Sequence, residues 1–201
     1  MLEWLQRSGA ASERKLRLFA CACCRRVHHL LSEPWSREAI DVAERLADGL
    51  AAEQERETAW DESMRDIEAA DMALDGELVW FARLTAHNAL AGSAVRAAQL
   101  AASTVCRSVS DLSEASQAAL LRDIVGNPFQ AIPAASNWLT ATVVNLTKTI
   151  YDNRAFDRLP ELANALEQAG CTNHEILDHC RQPSPHVRGC WVVDLVLVQH
   201  P

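Results

Sequence analysis

Glycine and proline are scarce, at seven residues each in a chain of 201. That scarcity disfavours a turn-rich β architecture and favours long helices. No stretch approaches the roughly 20 apolar residues of a membrane-spanning helix. There is no Gly-rich phosphate loop, no HExxH, no GxSxG and no pair of CxxC motifs, which weighs against the common enzyme classes. Basic residues are in the minority, 19 against 27 acidic ones, for a net charge of −8. A general nucleic-acid role is therefore disfavoured, because an acidic surface repels phosphate backbones.

The charge is unevenly placed. Between Glu53 and Glu77 the acidic residues Glu53, Glu55, Glu57, Asp61, Glu62, Asp66, Glu68, Asp71, Asp75 and Glu77 face only Arg56 and Arg65. This one segment carries the whole imbalance, as a solvated helix face or as a surface that recognises a basic partner. Arg14, Lys15, Arg17, Arg25 and Arg26 make the N-terminal stretch locally basic, which leaves room for a small anion site.

"LFAC" at Leu18–Cys21 has the outline of a lipoprotein cleavage box. The apolar run of about 7–15 residues that must precede such a box is interrupted by Glu13, Arg14, Lys15 and Arg17, so no leader is expected. Seven cysteines, an odd number without the spacing of a stapled scaffold, fit unpaired thiols in a reducing cytoplasm.

Apolar residues recur at helical spacing along most of the chain. Leu16, Phe19, Ala20, Cys23, Val27 and Leu30 make one stripe, and Pro34 is expected to stop that helix. Ser36 would cap the next helix, carrying Ala39, Ile40, Ala43 and Leu46. Trp60, Met64, Ile67 and Leu74 would form a narrow seam under the acidic segment. Glu77 to Ser108 is alanine-rich and apolar on most sides, as expected of a central helix. Gly126-Asn127-Pro128 ends a further helix, and Ser136 is expected to cap the one after "NPFQAIPAAS". Leu159, Leu162 and Leu166 form a stripe closed by Gly170, Thr172-x-x-Glu175 reads as a capping box, and Ser184-Pro185 would open a last helix. Val192, Val193, Val196 and Val198 suit a buried strand equally well. The expected fold is all-α, a compact bundle of about seven to nine helices around a central Ala-rich helix. It forms a single domain over 1–201, with 1–110 and 111–201 as the alternative sub-halves.

Two clusters carry candidate chemistry. In "LFACACCRRVHHLL", an unbroken helix would turn Cys23 into the core while Cys21, Cys24 and His28, at i, i+3 and i+7, share a second side. Two thiolates and an imidazole are a partial zinc set lacking one ligand. The same residues also suit packed thiols, or a reactive thiol activated by Arg17 and Arg25. Near the C-terminus, Cys171, His174, His179, Cys180, His186 and Cys190 fall within twenty residues. If that end is helical, His186, Cys190 and Asp194 line one side at i, i+4 and i+8. They can act as a metal site or an acid–base constellation, or Asp194 can be one half of a buried ion pair with Arg188 or Arg181. His87, on the apolar line Trp80–Leu84–His87–Ala91, is a core histidine or a catalytic one.

"SERKLRLFACACCRRVHHLL" with "AIDVAERLADGLA", and "QAALLRDIVGNPF" through "AFDRLPELANALEQAGCTNHEILDHCRQPSPHVRGCWVVDLVL", resemble a group of uncharacterised proteins of Planctomycetes bacteria. The resemblance spans both ends of the chain and about two thirds of its length. It implies a bacterial, cytoplasmic protein in which the Cys21–His28 and His179–Trp191 segments are family motifs, and it brings no activity with it.

Two functions from different classes fit these features. The first is a helical binding or interaction protein with a protein or small-molecule partner, carrying zinc on Cys21, Cys24, His28, His186 and Cys190. The second is an enzyme using Cys190, His186, Asp194 and His87, with arginines binding a small anionic substrate. Neither involves a membrane.

Overall fold

The computed structural model describes residues 1–69, 76–108, 114–130, 132, 136–183 and 185–197. Among them are eleven α-helices and no strand, so the chain is all-helical. Leu74, Asp71 and Asp75 of the acidic segment, the Ser184 cap, Val198 and most of the 131–135 loop lie outside the described residues. So does the division expected at 110/111. The chain divides into two compact units, Met1–Ala119 and Leu120–His200.

The first unit contains α1 (Leu2–Arg7), α2 (Glu13–Arg26), α3 (Pro34–Ala47), α4 (Glu53–Ala69), α5 (Glu77–Asn88) and α6 (Ala94–Ser108). Ser12 caps α2 by accepting from the Lys15 N–H, which satisfies one of the orphan donors of a helix start. Every residue of α2 from Leu16 to Cys24 is buried, and the helix packs against α6 and its alanine face of Ala94, Ala97, Ala98 and Ala101. Burying Leu16, Leu18 and Phe19 contributes roughly 1.5–3 kcal/mol each.

Three expectations change here. First, α2 ends at Arg26, where Val27 leaves helical geometry, and a 3-10 turn over His28–Leu30 follows. His28 therefore does not continue the Cys21–Cys24 row. Second, Pro34 begins α3 instead of closing its predecessor, because proline at the first helical position forfeits no hydrogen bond. Ser36 is then inside the helix, where its hydroxyl donates to Asp66. Third, the single central helix is two. Residues 89–93 break it, and the buried Arg17 guanidinium takes the carbonyls of Ala89, Ala91 and Gly92 that the break releases. The described helices accordingly number more than the seven to nine expected.

The unit boundary falls inside α7 (Glu114–Val125). The second unit continues with α8 (Ala141–Asp152), α9 (Leu159–Gln168), α10 (His174–Arg181) and α11 (Trp191–Leu197). Its core joins Val143, Ile150, Leu159, Leu162, Leu166, Ile176, Val192, Val193 and Val196. Caps here differ from expectation by a few residues. Thr140 caps α8 in place of Ser136, and Asn173 caps α10 by accepting from Glu175 and Ile176 in place of Thr172. The valine run is helix, not strand, but it starts at Trp191. Gly189 at φ +91 lies in the left-handed region that only glycine enters without strain, so no helix runs through from Pro185. The row His186–Cys190–Asp194 on one helix face does not exist; His186 and Cys190 sit in the loop before α11.

Candidate metal centre

Four side chains of the second unit converge: Asp123, His179, His186 and Cys190. Each offers one ligand atom, and these atoms all lie within 4.8 Å of one another. Among the described residues this is the one group of three or more such side chains gathered so closely.

The backbone aims each of them. Asp123 stands on the last turn of α7, before Gly126 at φ +70 turns the chain out of the helix. Its Oδ2 accepts from the Val187 N–H at 2.9 Å, which fixes the carboxylate and leaves Oδ1 facing the cluster. His179 projects from α10, anchored by the Asn173 cap and the buried Ile176, Leu177 and Cys180. His186 and Cys190 lie in the loop that α10 hands to α11. A turn from Val187 to Cys190 closes that loop, and the Cys190 carbonyl accepts the Asp194 N–H as α11 begins.

Around Asp123 Oδ1, His186 Nδ1 is at 2.5 Å and His179 Nε2 at 3.1 Å. His179 Nε2 is also 3.2 Å from Cys190 Sγ. Bond lengths typical of zinc imply tetrahedron edges of about 3.3 Å between nitrogen and oxygen and about 3.5 Å between nitrogen and sulfur. The two His179 distances fall a few tenths short of these. The His186–Asp123 separation is a charge-assisted hydrogen bond. The other ring nitrogen, His186 Nε2, is buried and has no hydrogen-bond partner. The site is largely buried, with Cys190 at 0% exposure, the His186 and Asp123 side chains at 4% each and the His179 side chain at 14%.

Electrostatics separate the possible chemistries. Burial pushes the Asp123 carboxyl up, but hydrogen bonds with His179 and His186 outweigh it and hold the group below its ordinary value. Burial, reinforced by Asp123, pushes the Cys190 thiol well above its ordinary value. A buried thiol in that state is a poor nucleophile, and a poor ligand, unless a cation offsets the burial. A proton relay would also need His179 to present one nitrogen to the carboxylate and the other to the sulfur; here one atom, Nε2, faces both. Four ligand-type atoms directed at one small volume could hold a cation. A carboxylate, two imidazoles and a thiolate suit a borderline transition metal in tetrahedral geometry.

The other candidate residues lie outside this cluster. Cys21 and Cys23 are pushed up to about 12, in each case chiefly by burial, although Arg17 and Arg25 pull Cys21 the other way. Cys24 is raised well above its ordinary value, again by burial, and its Sγ donates to the Thr85 carbonyl at 3.2 Å. Cys21, Cys24 and His28 form no close group of ligand atoms. His87 is 2% exposed, 3.8 Å from Trp60 ring to ring, and bonded through Nδ1 to Ser63 Oγ at 2.9 Å. Asp194 is buried on the first turn of α11 and outside the cluster, while Arg181 pairs with Glu167.

Sequence reasoning named His186 and Cys190 as candidate ligands and did not name Asp123 or His179, the other two members of the cluster. His179 was visible as a member of the crowded C-terminal stretch. Asp123 had one signal, a lone carboxylate among Leu120, Leu121, Ile124 and Val125, the same argument that drew attention to Asp194. Compared with known proteins, the chain matches no family model, no curated protein and no solved structure. Among the described residues no helix is long and apolar enough to cross a membrane.

Proposed function

We propose that this chain is a helical binding or interaction protein whose second unit is held together by a zinc ion on Asp123, His179, His186 and Cys190. The observation that carries the reading is the convergence of four ligand atoms within 4.8 Å of one another in a largely buried site. Four protein ligands complete a tetrahedron, and a zinc centre with no open position is structural. Bound there, the metal supplies the positive charge that keeps the Cys190 sulfur deprotonated and the loop from Gln182 to Cys190 fastened to α7 and α10. The shared His179 nitrogen speaks against a proton relay in the enzyme reading. None of the seven cysteines is in a disulfide, in keeping with a reducing cytoplasm, and the resemblance to Planctomycetes proteins supports a bacterial source.

Metal analysis of the gently purified protein tests this directly. About one equivalent of zinc is expected, together with a cobalt-substituted form whose visible bands are those of a four-coordinate ion with a thiolate ligand. Metal well below one equivalent, with no cobalt spectrum in the wild type or a spectrum unchanged in Cys190→Ser, overturns it.

A further inference from the structure

A cavity of about 440 Å³ opens on the first unit, lined by Arg56, Glu57, Trp60, Asp61 and Gly92. Its size is within the range of about 300–1,000 Å³ typical of small-molecule sites. Glu57, Trp60 and Asp61 stand at i, i+3 and i+4, so one side of α4 supplies two carboxylates and an indole. The other wall is the break between α5 and α6, where the exposed Gly92 brings no side chain.

That second wall is fixed before any ligand arrives. Arg17 binds the carbonyls of Ala89, Ala91 and Gly92 at 3.0, 2.9 and 3.2 Å, and Arg56 binds that of Leu90 at 2.9 Å. Arg56 Nε also bonds Glu53 at 2.7 Å, so its charge is offset by a carboxylate outside the lining. Trp60 is half-buried, with its ring 3.8 Å from that of His87, centroid to centroid. Burial lowers the His87 pKa to about 4, so the neighbour of the indole is neutral at pH 7. Glu57 and Asp61 are exposed, and among the described residues neither is hydrogen-bonded or ion-paired. Like charges at i and i+4 destabilise a helix, and a bound cation relieves them.

We propose that this cavity binds a guanidinium group, stacked on Trp60 and hydrogen-bonded to Glu57 and Asp61. Indole is the best cation–π partner, and guanidinium the cation found most often in such pairs. A flat group with five N–H donors in a fixed fork can serve two carboxylates while it lies on a ring. An ammonium is a point charge and has no plane to stack. Anions are repelled by the two carboxylates, and a neutral urea group does not relieve their repulsion. A small guanidino compound and an arginine side chain of a partner protein present the same chemistry here.

Titration of the intact chain, followed at the Trp60 indole N–H by NMR, tests the assignment; the signal is identified by its loss in Trp60→Phe. The probes are methylguanidinium, acetyl-Gly-Arg-Gly-amide and the lysine and citrulline counterparts of that peptide, each to about 20 mM. A saturable shift is expected with methylguanidinium and with the arginine peptide. The lysine peptide should bind at least about threefold more weakly than the arginine one, and the citrulline peptide at least about tenfold. Glu57→Gln combined with Asp61→Asn should weaken both guanidinium probes at least about tenfold. Both residues are exposed, so the double variant should keep the wild-type circular dichroism. An arginine peptide about tenfold tighter than methylguanidinium assigns the site to a protein segment, and equal affinities assign it to a small molecule. No saturable shift with either guanidinium probe overturns the proposal. So does lysine or citrulline binding as tightly as arginine, or an affinity unchanged in the double variant. Zinc content reports on the second unit, so this site and the metal reading stand or fall separately.

Discussion

His186 Nδ1 stands 2.5 Å from Asp123 Oδ1 across 63 residues of sequence. The other oxygen of the same carboxylate takes the N–H of Val187, the very next residue. Asp123 thus holds both the side chain and the backbone of the loop before α11.

Asp123→Ala should therefore act in two ways. Without metal it strands the His186 ring and the Val187 N–H, a loss of about 1–3 kcal/mol for buried groups left unsatisfied. With metal present it also removes a ligand. Wild-type protein at zinc concentrations about a thousandfold above its Kd should gain about 4 kcal/mol over the chelated form, and the variant should gain far less. Denaturant unfolding with and without chelator measures both terms. A variant that responds to zinc as fully as the wild type removes Asp123 from the coordination sphere.

Gly126→Ala should loosen the same site from outside. Gly126 has φ +70, and a Cβ added there would meet Trp191 Cγ at 3.0 Å. The Trp191 ring centroid is in turn 5.1 Å from that of His179. Left-handed backbone costs an alanine about 1–2 kcal/mol and overpacking about 1–3 more. A loss of about 2–5 kcal/mol, weaker metal retention and a changed Trp191 fluorescence are expected together. Full zinc content with unaltered fluorescence would mean that the indole does not brace His179.

The all-helical class was legible because helix-forming information is local. Leu16, Phe19, Ala20 and Cys23 announce one face of α2 by spacing alone, with Val27 just past its end; four of the five are fully buried and Phe19 is 2% exposed. The break at 89–93 was not legible, since it is stabilised by Arg17 from about seventy residues away. In the local sequence that arginine looked like a neighbour for thiols. The candidate site was half legible for the same reason. His186 and Cys190 share a loop and were seen together, although the wrong geometry was assigned to them because Gly189 was read as a helix residue. Asp123 joins them only through the fold of the second unit, and no spacing rule reaches that far.

The thiols should sort sharply by burial. Cys106 is exposed, whereas the other six cysteines are buried. At pH 8 a soluble disulfide reagent should modify about one thiol per native chain, and peptide mapping should find it on Cys106; the rest should react only after denaturation. Native labelling of Cys190 at a rate like that of Cys106 would reopen the nucleophilic reading that its burial and raised pKa oppose.

His87 gives the pH dependence of the first unit. Burial lowers its pKa from 6.5 to about 4, so the folded protein holds the ring neutral where the unfolded chain would already be protonated. Because the unfolded state binds the proton first, stability rises with pH across the window from about 4 to 6.5. The contribution is complete above the unfolded value and is lost as the pH falls through the folded one. A gap of this size corresponds to roughly 3 kcal/mol. His87→Gln keeps a side chain that can bond Ser63 but cannot titrate. The difference in unfolding free energy between wild type and this variant should therefore shift by roughly 3 kcal/mol in the variant's favour between pH 7.5 and pH 4. Parallel stability curves for the two proteins over that range would show that the ring is protonated in the folded state without penalty, and that the Trp60–Ser63 pocket does not enforce neutrality.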